Sequence, residues 1–388
     1  MSPLRVAWVS FFPVEWLPDA PEELRPMPRL HPAPWQRILV DELKGVPNLE
    51  LHVFSVRKYF PRSFSFQREG VNFHCVKVPG GWRAPSLFWW ETLALRRRLK
   101  RIQPDLVHAW GSERGAAIVA SRLGYPHLVT MQGLLQWISQ FVPLGRAERV
   151  ELRLENPGLR RAKVVTAESS FAVNWLREHY PHLEVRQVEH APNWLFHRVT
   201  RRPQPGPTRF LFVGTLSYLK GGDLLAQAMD KLRMELDFHL TIVSSHGDDY
   251  LANMKAVSST ALWERVTLRQ NLTQTEVAEE MVRATIFLFP TRVDNSPNSV
   301  KEAVASGLPV VASAVGGIVD YVRPGRNGVT FPAGNLEAFV RAIREAVAHP
   351  LLGQGKVEEE TLHEMREYLS PRMMGEKVLG AYERVRRA

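Results

Sequence analysis

Short, nearly all-apolar runs recur along the chain, each separated from the next by a longer amphipathic stretch. RVAWVSF, LELHVFSV, PDLVHAW, HLVTM, KVVTA and VRQVEHA are such runs between residues 5 and 191. The helical stretch between two of them is plainest in SLFWWETLALRRRLKRI at 86–102. Strands that are apolar on both faces and alternate with helices predict a parallel sheet covered on both sides.

The alternation breaks at VTRRPQPGPT, residues 199–208, which has three prolines, one glycine and no apolar period. Such composition predicts a linker. The pattern then restarts with RFLFVG, DFHLTIVSS, RVTLRQ, TIFLFP, LPVVAS and GVTFP, with helical stretches between them. The expected organisation is an α/β domain over 1–199, a Pro-rich linker over 200–208 and a second α/β domain over 209–376. The last stretch, KVLGAYERVRRA at 377–388, reads as an amphipathic helix with basic last turns, expected to pack back on the first domain. Two such domains would face each other across a cleft at the carboxyl ends of their strands, where open parallel sheets bind ligands.

Charge sharpens this picture because it is uneven. Residues 1–205 carry 29 Lys and Arg against 18 Asp and Glu, while residues 206–388 carry 21 against 22. A basic first half predicts contact with something anionic, such as phosphate or a lipid headgroup surface; the alternative is arginine on a solvated surface. No basic region has the aromatic spacing of a nucleic-acid module, so no nucleic-acid partner is expected. The segment FWWETLALRRRLKR (88–101) reads either as a membrane-surface or acidic-acceptor contact or as a helix with a solvated basic face. Cys75 is the only cysteine and forms no intrachain disulfide. With no apolar run of about 18 residues and no signal-peptide pattern, the expectation is a cytoplasmic chain, with peripheral contact at the inner face of a membrane.

The densest chemistry lies in TIFLFPTRVDNSPNSVKEAVASGLPVVASAVGGIVDYV, residues 285–322. A buried strand ends at Pro290, and a polar loop leads to a helix with Ser296 as N-cap and Pro297 at its first position. Gly307 closes the helix before the next strand. Its amino end is a ready anion site. Asp294 sits just before it, and Asn298 and Glu302 are neighbours four apart on one face. Carboxylates at the mouth and one turn in can accept hydrogen bonds from several hydroxyls, as sugars and riboses present them.

Two acids separated by seven residues, followed by EAVASGLPVV and a GG loop, resemble the motif of the retaining nucleotide-sugar glycosyltransferases. Those are the GT-B type enzymes with two Rossmann-like domains, the family of sucrose synthases and bacterial mannosyltransferases. The resemblance implies that Asp294 binds hydroxyls of the donor sugar and Glu302 those of the ribose. Asn295 and the backbone around Ser296, Asn298 and Ser299 would then line the sugar and diphosphate. The family usually has Glu at the first position; Asp is shorter by roughly 1.5 Å. FLFVGTLSYLKGG (210–222) resembles the family's segment for the diphosphate, with Gly214 in the turn and Lys220 as its lysine. Thr215 stands where that family has Arg, and Arg292 is the candidate substitute.

The first half is less legible. Gln132 in VTMQGL stands where the family often has a His that touches the transferred sugar, and an amide donates a hydrogen bond but does not titrate. His108 in PDLVHAW matches a recurrent family His, and a satisfied structural histidine is the competing reading. The family's glycine pair in the first strand–helix loop is absent; His31, Trp35 and Trp110 are candidates for an acceptor pocket, against ordinary packing. No cluster has metal-ligand spacing, so neither a cofactor nor a metal is expected. The expected function is transfer of a sugar from a nucleotide-diphosphate donor to a glycan, lipid-linked or small-molecule acceptor, with retention. Lys220, Asp294 and Gln132 are its candidate catalytic residues. An epimerase of the same architecture, a degenerate nucleotide-sugar-binding protein and a polyanion- or membrane-binding scaffold are the rival readings.

Overall fold

A computed structural model describes residues 3–29, 31–244 and 248–387. The chain forms two compact units, residues 1–189 with 371–388 and residues 190–370.

The first unit is built on an eight-stranded sheet. Its strands are β1 (Leu4–Ser10), β2 (Leu49–Arg57), β3 (Phe64–Arg68), β4 (Val71–Lys77), β5 (Leu106–Trp110), β6 (His127–Met131), β7 (Val164–Ala167) and β8 (Val185–Gln187). They lie in the order β3-β4-β2-β1-β5-β6-β7-β8. All pairings are parallel except β3 with β4. That hairpin departs from the purely parallel expectation. It turns through Glu69 and Gly70 at φ 48° and 81°, the left-handed pair a two-residue hairpin loop requires. Cys75 is buried in β4, and burial pushes its thiol up to about 12. The helix Pro371–Arg387 belongs to this unit and packs on β5, β6, β7 and the helix Pro34–Leu43. Its Tyr382 is fully buried. Lys377 pairs with Glu189, and Arg384 pairs with Glu184 at 2.8 Å.

The second unit has six strands, β9 (Thr208–Val213), β10 (Phe238–Ser244), β11 (Val266–Gln270), β12 (Ile286–Phe289), β13 (Val310–Ser313) and β14 (Gly328–Phe331). Their order is β11-β10-β9-β12-β13-β14, and every pairing is parallel. Phe210, Phe212, Phe287 and Phe289 fill its core, each worth about 1.5–3 kcal/mol of burial. The proline-rich stretch lies inside this unit, ten residues beyond the division between the units. Arg201 there donates to the carbonyls of Val282 at 3.0 Å and Ala284 at 2.6 Å, anchoring it. In each sheet the chain order reverses once, between β1 and β5 and between β9 and β12. At a reversal, successive helices cover opposite faces and the loops diverge, leaving a ligand-sized gap at the strands' carboxyl ends.

Candidate functional site

At the reversal point of the second unit, the loops after β9 and β12 lie on one another. Gly221 makes this possible: its φ is 71°, and a Cβ there would sit 1.9 Å from the carbonyl oxygen of Pro290. Leu219 O accepts from Arg292 N at 2.7 Å and from Thr291 Oγ1 at 3.1 Å, stitching the loops together. The Lys220 ammonium and the Asp294 carboxylate, 74 positions apart in sequence, form an ion pair. Gly214 follows β9 directly, its N–H bonded to Val243 O at 3.0 Å, and Thr215 is exposed beside it.

The neighbouring helix begins one residue later than the sequence suggests. It spans Asn298–Ala305, with Pro297 rather than Ser296 in the cap position and no side-chain cap. Pro297 has extended backbone, ψ 122°, and no side-chain oxygen to turn back on the first turn. The N–H groups of Asn298, Ser299 and Val300 therefore have no intrahelical acceptor and point out of the helix mouth. Ser296 is buried, and its Oγ has no protein partner. Gly316, at φ 56°, backs directly onto the loop: a Cβ there would lie 1.9 Å from Asp294 O and 2.6 Å from Asn295 O. Gly317 N donates to Asn295 O at 2.6 Å. Gly307, at φ 74°, closes the helix as expected.

Glu302 lies one turn inside this helix. Part of the residue stays open to solvent, yet its carboxyl sits deep enough that burial pushes it up to about 8, with Lys301 opposing. No protein group among the described residues bonds it. A carboxyl left unpaired at the mouth of an uncapped helix can bond ligand hydroxyls beside an anion.

Arg292 goes elsewhere than the sequence suggests. Its guanidinium holds Asp223 through two bonds of 2.7 Å and lies 3.8 Å from the Tyr218 ring centre. Tyr250 also donates to Asp223, at 3.2 Å. A bidentate pair of this kind fixes the arginine in the loop and leaves Lys220 as the cation beside Asp294.

In the first unit the expected acceptor residues divide. His108 is fully buried between Tyr382 OH at 2.8 Å and Thr130 Oγ1 at 2.7 Å, and Tyr382 also accepts from Trp8 Nε1 at 2.8 Å. Both imidazole nitrogens are occupied, so its role is structural. Trp110 is buried against Trp8 and His108, with ring centres 4.9 and 4.7 Å away, and is core rather than a pocket wall. His31 and Trp35 lie 5.5 Å apart, and His31 alone of these four lines a cavity of about 680 Å³. Gln132 directly follows β6, and its buried amide nitrogen has no protein partner.

Sequence reasoning missed Glu113, a desolvated carboxyl close to Gln132. Gly111 and Gly133 make room for it; a Cβ on either would lie 2.3 or 2.6 Å from a Glu113 carboxyl oxygen. Burial lifts Glu113 to about 7, with Glu155 and Glu151 adding to the effect and bonds from backbone N–H groups opposing it. The signal was a Glu between glycines just after a strand, in GSERG. Among the described residues no group of His, Cys, Asp or Glu could hold a metal, and no helix is long and apolar enough to cross a membrane.

Two family models match the chain in succession. Glycosyltransferase Family 4 covers residues 39–195, and Glycosyl transferases group 1 covers residues 207–349. A glycogen synthase of Mycobacterium tuberculosis is 27% identical over 172 residues, 44% of this chain and 41% of that protein. The chain therefore spans less than half the length of that relative. An alpha-maltose-1-phosphate synthase of Mycolicibacterium smegmatis is 24% identical over 62% of this chain and 67% of its own length. Among solved structures, a sucrose-phosphate synthase from Thermosynechococcus elongatus superposes with a TM-score of 0.77 at 18% identity, covering 98% of both chains. Anabaena HepE, in complex with UDP and glucose, has a TM-score of 0.71 at 13% identity, covering 98% of this chain and 99% of its own. These findings support a transferase and do not support the epimerase reading.

Proposed function

Because this chain belongs to the GT-B glycosyltransferases, we propose that it transfers a sugar, with retained anomeric configuration, from a nucleotide-diphosphate donor held by its second unit. The observation that carries this reading is the unpaired Glu302 carboxyl, one turn inside the uncapped Asn298–Ala305 helix and near the Lys220–Asp294 pair. Glu302 accepts from the ribose hydroxyls. The diphosphate takes the free N–H groups of Asn298 and Ser299 and the Lys220 ammonium. Asn295 and the Ser296 hydroxyl supply further bonds at the same mouth.

Binding exchanges the partners of the ion pair. Lys220 turns to the diphosphate and Asp294 to the hydroxyls of the donor sugar. The pair is largely buried, with side chains 30% and 12% exposed, so the exchange proceeds because each group gains a ligand partner as it loses the other. As the glycosidic bond to the diphosphate stretches, negative charge grows on the leaving oxygen, and Lys220 with the helix N–H groups stabilises it. The sugar passes through an oxocarbenium-like state, with departure and attack on one face. Among the described residues none is assigned as a covalent nucleophile towards the sugar, and the positive groups on the diphosphate take the part a metal ion would otherwise play.

The solvent face of the Trp89–Ile102 helix carries Trp89, Trp90 and Leu93 and then Arg96, Arg97 and Lys100. An apolar first turn beside a cationic one suits peripheral contact with an anionic membrane surface. Calorimetry with UDP, GDP and ADP and their sugars tests the donor reading. Glu302→Gln should weaken donor binding sharply and Lys220→Ala should lower turnover. Wild-type rates in both variants would refute the assignment. The reading as a binding protein without turnover draws on Thr215 and Gln132, and it requires that no sugar be released even in a single-turnover assay.

A further inference from the structure

On one face of the first sheet, four polar side chains form an unbroken chain of hydrogen bonds. Ser65 on β3 bonds the Nδ1 of His74 on β4 at 2.8 Å. His74 Nε2 lies 3.1 Å from Nδ1 of His52 on β2, and His52 Nε2 lies 3.0 Å from a carboxyl oxygen of Glu50 on the same strand. Register brings them together. Ser65 stands directly opposite His74 across the antiparallel pair. The parallel pairing sets Phe54 beside His74, with His52 and Glu50 two and four positions back on the same face. The Phe54 ring stacks on His74 with centres 4.3 Å apart, and Arg5 of β1 holds Glu50 at 3.0 Å.

The chain has one direction. Burial opposes the Glu50 charge, but bonds from Arg5 and His52 hold the carboxyl below its usual range, so it is a carboxylate that accepts. His52 then carries its proton on Nε2, which leaves its Nδ1 to accept from His74 Nε2–H and His74 Nδ1 to accept from the Ser65 hydroxyl. The two imidazole planes are 15° apart and their centres 5.4 Å apart, so the rings meet end to end. Nitrogens aimed at each other in this way share a proton, whereas metal ligands aim at a common third point. Burial, then His52 and Arg98 of the helix Trp89–Ile102, push His74 down to about 4, so its Nδ1 is open to accept near neutral pH.

The outer end of the chain is accessible, for Ser65 is exposed and β3 is the edge of the sheet. The two-residue turn makes Arg68 and Val71 a hydrogen-bonded pair, and by alternation Ser65 and His74 form a non-hydrogen-bonded one. In such a pair the side chains approach most closely, and the N–H of Ser65 points away from β4 to the open edge. A hydroxyl bonded to a histidine that a third group orients is the arrangement of an activated nucleophile, and an N–H beside it is a donor for an oxyanion. Satisfying the histidines alone would not call for a serine, since water could serve His74 at the exposed end.

We propose that Ser65 is the nucleophile of a second, acyl-transfer site on this sheet edge, with His74 as its base and His52 and Glu50 as positioning residues, acting on small activated carboxylic esters. The Ser65 oxygen attacks the ester carbonyl carbon, and its proton passes to His74 Nδ1. His74 Nε2 hands its own proton to His52 Nδ1, and the resulting imidazolium rests beside the Glu50 carboxylate. The carbon–oxygen bond to the alcohol then breaks, and the alcohol takes a proton from His74 Nδ1 as the relay runs back. Water repeats the sequence on the acyl-serine, releasing the acid and restoring the hydroxyl. A sheet edge is shallow, which suits short acyl groups. None of these steps involves the nucleotide-sugar site.

The test uses the full chain. Hydrolysis of p-nitrophenyl acetate is followed by absorbance, and covalent labelling by a fluorophosphonate is located by peptide mass spectrometry. Wild type, Ser65→Ala and Glu50→Gln are compared; Ser65 is exposed, so its truncation leaves the fold intact even if Glu50→Gln does not. Wild type should carry the label on Ser65 and hydrolyse the ester above the buffer rate, and Ser65→Ala should lose both. Glu50→Gln should lower kcat at least about tenfold with KM unchanged, because it acts on the base and not on the bound ester. Absence of label on Ser65, equal hydrolysis by wild type and Ser65→Ala, or an unchanged kcat in Glu50→Gln overturns the proposal.

Discussion

Replacing Glu302 by glutamine removes a proton-binding group that the fold has displaced by several pH units, and this makes donor binding readable as a pH profile. With its carboxyl at about 8, Glu302 holds its proton roughly ten times out of eleven at pH 7. Ribose hydroxyls that donate to the carboxylate need that proton gone. Binding at pH 7 is then linked to proton release and carries about 1.4 kcal/mol of deprotonation cost. The bound state holds fewer protons than the free state, so affinity rises with pH. The occupancy of the carboxylate sets the size: about ninefold from pH 6 to 7, about fivefold from 7 to 8 and less than twofold from 8 to 9. A nucleotide sugar is the right ligand, since its diphosphate is esterified at both ends and has no proton to lose in this range. Calorimetry in buffers of different ionisation enthalpy counts the released proton directly. In Glu302→Gln both the slope and the proton release should vanish. A wild-type profile flat between pH 6 and 8, or an equal slope in the variant, would refute the reasoning.

The same displaced carboxyl governs stability without ligand. Its folded pKa is raised, so its contribution is fully present below the unfolded carboxylate range and is lost as pH rises towards about 8, at up to about 1.4 kcal/mol per pH unit. Denaturant unfolding of Glu302→Gln should show a shallower decline over that window; matching curves would mean the carboxyl is not desolvated. Tyr382→Phe leaves Trp8 and His108 short of a partner and should cost about 1–3 kcal/mol in unfolding while nucleotide-sugar affinity holds, which a loss of affinity would contradict. Gly316→Ala drives a Cβ onto Asp294 O at a left-handed backbone position, and calorimetry should find donor binding weakened in a protein whose circular dichroism is native. Turnover after exhaustive chelation should equal that of the untreated enzyme; activity that returns only with added divalent ion would bring a metal into the mechanism.

How much was legible follows from which interactions are local. The apolar runs from RVAWVSF to GVTFP each appear as a strand, most of them because a parallel strand buried on both faces is nearly all apolar and its period needs no partner to be read; the edge strands β8 and β11 are more exposed. The β3–β4 hairpin was missed since its turn is Glu-Gly, a weaker signal than Asn-Gly or Asp-Gly. The cap position slid from Ser296 to Pro297 because a serine side chain is only one way to satisfy a helix start, and here the first turn is left open. His108 and Trp110 had two readings by position along the chain, acceptor pocket or ordinary packing, and both side chains lie in the packed core.

From the sequence alone came two runs of α/β alternation, a basic first half and the acid pair Asp294 and Glu302 eight positions apart, all properties that neighbouring residues share. The tertiary structure alone decided which distant groups meet. Lys220 reaches Asp294 because Gly221 and Gly316 let backbones approach within carbonyl contact, and no pattern of hydrophobicity encodes that approach. Arg292 is drawn to Asp223, and Ser65, His74 and His52 line up with Glu50 from three separate strands. Charge is a property of each residue, but its energy depends on the distance to other charges and to water, and those distances exist only once the chain has folded.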